Sequence, residues 1–212
     1  MVRSVLALLL AACIALAPIP TAAKSLDSVQ AIQHQGRTFC TVFSINEDLG
    51  YFASAGHCAI AVLERGYDNI TILGQPATIV MVARTFDVAV FQADVHVPAL
   101  KLADRSVEPC NPKRPELCEI VSIQGFPYGL PRLITVTGHV AARRVPILHP
   151  SYNRIMYSDI LDITTAGGNS GSPVMNSHGE VIGILWGGFV DSPHSLSVPL
   201  ESVREVMLGY FE

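Results

Sequence analysis

The sequence has little charge, and its few basic residues form no extended cluster. Charged residues make up 15% of the 212 residues, whereas a soluble domain typically carries about 25%. The formal net charge is −4, and the densest basic groupings are two pairs, Lys113–Arg114 and Arg143–Arg144. Because there is no basic field, the composition argues against a nucleic-acid partner. Half of the residues are hydrophobic, which argues against disorder.

The chain also has no hydrophobic run long enough for a comfortable membrane span. Its apolar run from Val5 to Ala17 is shorter than the roughly 20 residues that a spanning helix needs. Arg3 precedes this run, and the small residues Thr21 to Ala23 follow it, as in an export signal that is cleaved before Lys24. We therefore expect residues 1–23 to be a signal peptide and the protein to be secreted or periplasmic.

A second interpretation of the same segment is a lipoprotein signal. Leu10 to Cys13 resembles a bacterial lipobox, in which Cys13 would carry the lipid. The stretch from Ile14 to Ile19 stays apolar, whereas a lipoprotein usually becomes polar just after the cysteine. Simple cleavage is favoured, and lipid anchoring at Cys13 is the alternative.

Cysteine is scarce, and four cysteines remain once the signal is removed: Cys40, Cys58, Cys110 and Cys118. An even number in an exported chain indicates two disulfides, for which three pairings are possible. Pairing neighbours, Cys40 with Cys58 and Cys110 with Cys118, closes the shortest loops. Each such loop would stabilise the fold by roughly 3 kcal/mol. Four free buried thiols would instead fit a reducing compartment.

Short apolar segments recur between turn signals, which is typical of an all-β protein. They form two groups, at residues 39–45, 51–55, 78–83 and 88–92, and at residues 119–126, 133–142, 155–160, 173–175 and 180–186. Residues 99–116, rich in proline and charge, are interpreted as the connector between the groups.

Only the last dozen residues have helical spacing. After Pro199, apolar residues fall on one helical face: Leu200, Val203, Val206, Met207 and Tyr210. We expect this helix to cap the second group of strands.

Three segments carry residue types suited to nucleophilic catalysis: Ser54 to Cys58 (S-A-G-H-C), Phe86 to Val90 (F-D-V-A-V) and Gly167 to Pro173 (G-G-N-S-G-S-P). A serine hydroxyl becomes a good nucleophile only when a base removes its proton. It also needs backbone N–H groups that converge on the developing oxyanion. The glycines around Ser170 permit the tight turn that this requires. The alternative is an ordinary Gly/Ser loop.

His57 is the predicted base, because imidazole transfers protons near neutral pH. It combines a strand end, small neighbours and an adjacent cysteine, unlike the six other histidines: His34, His96, His139, His149, His178 and His194. Asp87 is predicted to orient His57. Asp68 and Asp94 are rivals, but neither directly precedes so apolar a strand.

Together these segments resemble the motifs of chymotrypsin-like serine peptidases, usually written T-A-A-H-C, D-I-A-L and G-D-S-G-G-P. The order His, Asp, Ser also matches that family. The nearest resemblance is to the bacterial glutamyl endopeptidase (V8-like) branch, over Thr164 to Val174 and Val181 to Gly188. HtrA proteases share the G-N-S-G core, but at this length we do not expect the chain to include their PDZ domain.

The resemblance implies an all-β fold of two six-stranded antiparallel barrels with a C-terminal helix. It implies an N-terminal barrel with His57 and Asp87 at residues 24–105, and a C-terminal barrel with Ser170 and the helix at residues 106–212, together one peptidase unit. Ser170 would be the nucleophile, and the N–H groups of Gly168 and Ser170 would form the oxyanion hole. A Cys40–Cys58 disulfide would brace the histidine loop.

For substrate binding, the resemblance implies that Trp186, Gly187 and Gly188 pair with an extended protein or peptide substrate. Thr165 and Leu185 would line the pocket for the side chain before the cleaved bond (P1). Glutamyl endopeptidases have histidine where this chain has Leu185. Leucine donates no hydrogen bond to a carboxylate, so we expect glutamate preference to be lost. We expect no cofactor, no metal ion and a monomer.

Two other functions use the same features. A catalytically silent two-barrel module would keep the fold and bind peptides, and an esterase would apply the same triad to small esters. A metalloenzyme has little support, because no H-E-x-x-H motif occurs.

Overall fold

The computed structural model describes residues 27–211, with side chains through residue 209, and its strands close into two six-stranded antiparallel barrels. The predicted export signal and the alternative lipid site at Cys13 lie outside the described residues. Within the described part, no helix is long and apolar enough to cross a membrane. The predicted fold class is confirmed.

The first barrel is built from strands joined in the order β1-β2-β3-β6-β5-β4. Their bounds are β1 (Val29–His34), β2 (Arg37–Asn46), β3 (Tyr51–Ala55), β4 (Ile70–Ile72), β5 (Gln75–Ala83) and β6 (Val88–Ala93). Phe43, Phe52 and Phe91 are fully buried at its centre. Phe52 and Phe91 are direct partners across β3 and β6, a pairing that stabilises an antiparallel sheet.

The second barrel follows the order β10-β11-β12-β9-β8-β7. Its strands are β7 (Val121–Gly125), β8 (Ile134–His149), β9 (Arg154–Asp162), β10 (Pro173–Met175), β11 (Val181–Gly188) and β12 (Ser195–Pro199). β8 and β9 form a long hairpin that pairs from His139 and Asp162 to His149 and Arg154. The β8–β9 turn therefore lies at the opposite end of β8 from the residues that pair with β7.

All nine predicted strand segments coincide with strands, but β1, β4 and β12 were not predicted. β4 has only three residues, which is too short for a period-two pattern to be visible. The expectation that only the C-terminus is helical was wrong. A helix, α1 (Gly56–Arg65), begins directly after β3 and ends at Gly66, which adopts the left-handed conformation typical of a helix C-terminus.

The predicted C-terminal helix is present as α2 (Leu200–Phe211). Four residues of its predicted apolar face, Leu200, Val203, Val206 and Met207, are buried, and the side chain of Tyr210 lies outside the described residues. The helix does more than cap the second barrel. Val203, Val206 and Met207 belong to the same apolar cluster as the core of the first barrel, so α2 contributes to the packing of one barrel on the other.

Two disulfides are present, Cys40–Cys58 and Cys110–Cys118. Of the three possible pairings, the structure therefore has the one that closes the shortest loops. The first joins β2 to the first turn of α1, and both of its cysteines are buried. The second closes a short loop in the segment between β6 and β7.

Loss of the Cys40–Cys58 bond should destabilise the fold substantially. Its loop spans 18 residues, for which chain entropy predicts a loss of about 3 kcal/mol, and the buried sulfurs leave unfilled space. We expect the Cys40→Ala/Cys58→Ala variant to lose at least that much free energy of unfolding in urea. The matched control is Cys110→Ala/Cys118→Ala, whose cysteines are only partly buried. A loss no larger than that of the control would contradict this expectation.

Candidate active site

Asp87 is a buried carboxylate in the turn between β5 and β6. Its backbone has a φ of 56°, a left-handed conformation that Asp adopts more readily than most residues. Its backbone carbonyl accepts a hydrogen bond from the Gly56 N–H, at 2.8 Å. The rival aspartates are elsewhere and exposed, with Asp94 beside His96 on the surface. Of the three, Asp87 is the aspartate that the structure brings to His57.

His57 lies in the first turn of α1 and meets Asp87 twice. Its backbone N–H donates to Asp87 Oδ1 at 2.6 Å, and its Nδ1 lies 2.9 Å from Oδ2. Helix N-termini leave backbone N–H groups unpaired, and the residue before α1, Ala55, has no side-chain hydrogen bond to satisfy them. Asp87 therefore acts as the missing cap. Because the carboxylate holds the proton on Nδ1, the lone pair of His57 is on Nε2.

Two residues that the sequence analysis did not select also contact this carboxylate. The Tyr152 hydroxyl donates to Asp87 Oδ1 at 2.7 Å, and His149 Nε2 lies 3.1 Å from Oδ2. His149 ends β8, and Tyr152 lies in the turn that follows. Each oxygen of Asp87 thus receives two donors, which fills the roughly four acceptor sites of a carboxylate.

These contacts set the protonation of Asp87 and Tyr152. Burial alone would raise the pKa of Asp87, but the hydrogen bonds from His149 and His57 outweigh it and lower the pKa to about 2. Burial and the negative charge of Asp87 both raise the pKa of Tyr152. Asp87 is therefore an anion near neutral pH, and Tyr152 remains a hydrogen-bond donor.

Among the residues that the structure describes, His57, Asp87 and His149 form a group whose nitrogen and oxygen atoms lie close enough together to hold a metal ion. Nδ1 of His57 and Nε2 of His149 both point at the same oxygen, Asp87 Oδ2. The two nitrogen–oxygen distances, 2.9 and 3.1 Å, are those of ordinary hydrogen bonds. The geometry fits a hydrogen-bonded group better than a metal centre.

Ser170 lies in the loop between β9 and β10, against the histidine segment. Its carbonyl oxygen accepts the Thr41 N–H at 2.8 Å and lies 3.8 Å from Sγ of Cys58, the neighbour of His57. Its hydroxyl points toward the carbonyl of Trp186, at 3.5 Å. Among the described residues, no hydrogen bond joins the Ser170 hydroxyl to His57. Such contacts are often long before substrate binds.

The loop before Ser170 presents two unpartnered backbone donors. The Gly167 carbonyl accepts the Tyr128 N–H at 2.6 Å, and the Asn169 carbonyl accepts the Ser172 N–H at 2.9 Å. In a trans peptide the N–H points opposite to the carbonyl, so the N–H groups of Gly168 and Ser170 are directed away from these partners. Neither donates a hydrogen bond within residues 27–211.

Gly168 is required at this position. Its φ is 96°, and an added Cβ would lie 2.3 Å from the carbonyl oxygen of Phe126. Both facts exclude a side chain without movement of the loop.

The predicted substrate residues Thr165, Leu185, Gly187 and Gly188 line one cavity with Ser170, and its volume is about 240 Å³. The other lining residues are Ala166, Gly167 and Phe189, so no charged side chain lines the cavity. Leu185 is buried and forms part of its wall.

Trp186 lies beside the cavity with its ring held on two sides. Its Nε1 donates to the Ser158 hydroxyl at 3.0 Å, and the His149 ring lies over it with the centroids 4.2 Å apart. β10 pairs with β11 only as far as Ile184. The edge of Gly187 and Gly188 opposite β12 is therefore left without a strand partner in the described structure.

Comparisons with known proteins agree on one family. The trypsin-like peptidase domain family matches residues 40–184. A glutamyl endopeptidase of Staphylococcus aureus (strain MW2) is 40% identical over 78 residues, which are 35% of this chain and 24% of the relative. The matched segment thus spans about a quarter of the length of that relative. The resemblance predicted from the motifs is confirmed.

Solved structures share the fold. The active form of the Rv3671c protease from M. tuberculosis superposes with a TM-score of 0.72 at 19% identity, covering 90% of this chain and 83% of that chain. The serine endoprotease from Yersinia pestis gives a TM-score of 0.64 at 19% identity, covering 88% of this chain and 63% of the other. At these identities the likeness concerns the fold alone.

The buried Asp87 should make stability depend on acid pH. Its pKa is lowered from 3.8 to about 2, so the stabilisation is complete above the unfolded value and is lost as the pH falls through about 2. The difference corresponds to about 2 kcal/mol. We expect the free energy of unfolding of the wild type to fall by about that much more than that of Asp87→Asn between about pH 5 and pH 2. Urea denaturation measures this, and parallel pH curves for the two proteins would contradict it.

Proposed function

This chain belongs to the trypsin-like peptidase family, and we propose that it is an exported serine endopeptidase that cleaves peptide bonds through an acyl-enzyme. In this proposal Ser170 is the nucleophile, His57 the general base and Asp87 the residue that orients it. The observation that carries it is the buried Asp87 bound to His57 Nδ1 at 2.9 Å. This contact leaves the lone pair on Nε2, and the neighbour of His57, Cys58, lies 3.8 Å from the Ser170 carbonyl oxygen.

In the first half of the reaction, His57 Nε2 takes the proton of the Ser170 hydroxyl as the oxygen attacks the substrate carbonyl carbon. The oxyanion that forms is placed at the N–H groups of Gly168 and Ser170, which have no other partner among residues 27–211. Such preorganised donors favour the transition state. The imidazolium then gives its proton to the leaving amine, and the C–N bond breaks.

In the second half, water replaces the amine. His57 Nε2 removes a proton from water, the hydroxide attacks the acyl carbon, and the proton returns to Ser170 as the acid product leaves. Asp87 stays ionised throughout and stabilises the charged imidazole. An extended substrate would pair with the free edge of Gly187 and Gly188, which gives affinity with little demand on sequence.

Export is supported by the two disulfides, because such bonds persist in oxidising compartments. The proposed location is the periplasm or the exterior, after cleavage before Lys24. Anchoring at Cys13 is the alternative. We also propose that the two barrels divide at residue 105 and act together as a monomer on protein or peptide substrates.

One observation favours the silent peptide-binding module as a second candidate. The Ser170 hydroxyl contacts the Trp186 carbonyl rather than His57. Reaction of this hydroxyl with an electrophile separates the two candidates, because activation of the serine requires the base.

A fluorophosphonate probe should label the wild type, and Ser170→Ala should abolish labelling. We expect the same variant to lower kcat for a peptide substrate by several orders of magnitude, since only binding and oxyanion stabilisation would remain. The matched control is Ser177→Ala, a surface hydroxyl that contacts Glu119, which should label normally. Peptide binding without labelling of the wild type would favour the silent module, and hydrolysis of small esters alone would favour an esterase.

The hydroxyl groups of the cavity determine which P1 side chains fit. The Ile163 carbonyl accepts the Ser195 hydroxyl proton at 2.6 Å, and Ser195 Oγ lies 2.7 Å from Thr165 Oγ1. Because a hydroxyl has one proton, Thr165 must donate to Ser195. Thr165 then presents only acceptor lone pairs to the cavity, and the Leu185 side chain has no hydrogen-bonding group. A P1 carboxylate would be desolvated without a donor, which is costly.

The cavity should therefore accept small, apolar or amide side chains and reject glutamate. In a pair of substrates that differ only in P1, Gln should be cleaved with a kcat/KM at least about tenfold above Glu. Gln has the same shape but carries N–H donors for Thr165. Profiling of the wild type against a mixed peptide library measures the full preference. Cleavage dominated by P1 Glu would overturn this pocket assignment without affecting the assignment of Ser170.

A further inference from the structure

Tyr152 and His149 make their hydrogen bonds to the candidate triad through Asp87, and the His149 ring also lies near that of His57, with the centroids 5.8 Å apart. Tyr152 reaches Oδ1 at 2.7 Å and His149 reaches Oδ2 at 3.1 Å, and both side chains come from the end of the β8–β9 hairpin. The turn brings them together, since the Tyr152 N–H donates to the His149 carbonyl at 3.3 Å and their rings are 4.7 Å apart. The second barrel thus supplies half of the donors to a carboxylate of the first.

The hydrogen bonds of His149 define its protonation. Its Nδ1 is buried and has no partner among the described residues, so a proton there would lack an acceptor. Nε2 therefore carries the single ring proton and donates it to Asp87. His149 is almost completely buried, and its ring packs on Trp186, so its donor has little freedom to move.

The donors act on the orientation of the carboxylate. His57 alone supplies one donor to each oxygen, its backbone N–H to Oδ1 and Nδ1 to Oδ2, so the second acceptor site of each oxygen would be empty without Tyr152 and His149. Tyr152 adds a second donor to Oδ1 and His149 a second donor to Oδ2, so the plane of the group is held from the side of the second barrel as well as by His57. The hydrogen bonds from Tyr152 and His149 also take up part of the negative charge of Asp87, which weakens its attraction for a protonated His57. Other charged groups that act on this cluster are Glu64 on α1 and Arg84 beside Asp87, through Tyr152.

We propose that Tyr152 and His149 are positioning residues that hold the Asp87 carboxylate in the plane required by the His57 imidazole, an inference that rests on the proposed peptidase function for its catalytic consequence. Neither residue touches substrate or the reacting atoms. The effect of Tyr152 on the reaction passes through Asp87 and His57, whereas His149 also packs on Trp186.

The kinetic test uses variants that remove one donor at a time. Tyr152→Phe deletes one hydroxyl, and His149→Met removes the donor, whereas His149→Gln keeps an N–H near the position of Nε2. We expect Tyr152→Phe and His149→Met each to lower kcat about tenfold, with KM unchanged in Tyr152→Phe, and His149→Gln to keep most of kcat. The acid limb of the kcat/KM profile should move to higher pH in the two deletion variants, because Asp87 would then attract the His57 cation more strongly. The matched control Tyr157→Phe, an exposed tyrosine of the same hairpin, should change nothing.

A second readout does not need activity. The His57 Nδ1–H proton should give a downfield NMR signal in the wild type and in Ser170→Ala, and it should shift or broaden in Tyr152→Phe and His149→Met. Thermal denaturation shows that each compared variant is folded, and Tyr152→Phe serves if His149→Met does not fold. Unchanged kcat, pH profile and proton signal in folded Tyr152→Phe would overturn the proposal, as would equal defects in His149→Gln and His149→Met. If the wild type lacks labelling but the proton signal responds as expected, the peptidase function fails and the positioning role stands.

Discussion

A carboxylate without water needs a donor for nearly every lone pair, and the Asp87 site is organised around that requirement. Removing an unpaired ion from water costs far more than a domain can tolerate. Asp87 is fully buried, and its donors come from the start of α1 and from the β8–β9 turn. The two barrels must therefore meet at a fixed geometry for this charge to be satisfied. The Asp87–His57 pair lies within the first barrel, and the second barrel supplies the other two donors to its carboxylate.

The same seam also positions Trp186, one of the residues predicted to bind substrate. His149 packs on Trp186 with one face while its Nε2 donates to Asp87. Trp186 is held from the other side by Ser158 on β9, and its carbonyl lies next to the Ser170 hydroxyl. Disturbing the β8–β9 turn would thus be felt at both the charged and the substrate-binding parts of the cleft. The hairpin links two features that are remote in sequence.

The sequence predicts the parts of this arrangement that depend on local patterns. The residues around His57, Asp87 and Ser170 carry recognisable motifs, and the alternating apolar segments predict most strands. His149 and Tyr152 were not predicted, because the sequence near them is that of an ordinary strand end and turn. Their partner Asp87 is 62 residues from His149 and 65 residues from Tyr152. Helix α1 was not predicted, because its first residues, Gly56 to Cys58, were interpreted as a catalytic loop. Its cap is the carboxylate of a distant residue rather than a neighbouring side chain.

The Asp87 site and the cavity at Thr165 differ in the hydrogen-bond donors that they offer. At Asp87 four donors meet four acceptor sites, so no position is left for a further donor and the charge is fixed in place. At Thr165 the single hydroxyl proton is already directed to Ser195, because Ser195 must donate to the Ile163 carbonyl. The first site is therefore built to hold a negative charge and the second to exclude one. Under the proposed function, this division keeps the Asp87 anion beside His57, while a substrate anion at P1 would find no donor from Thr165 or Leu185.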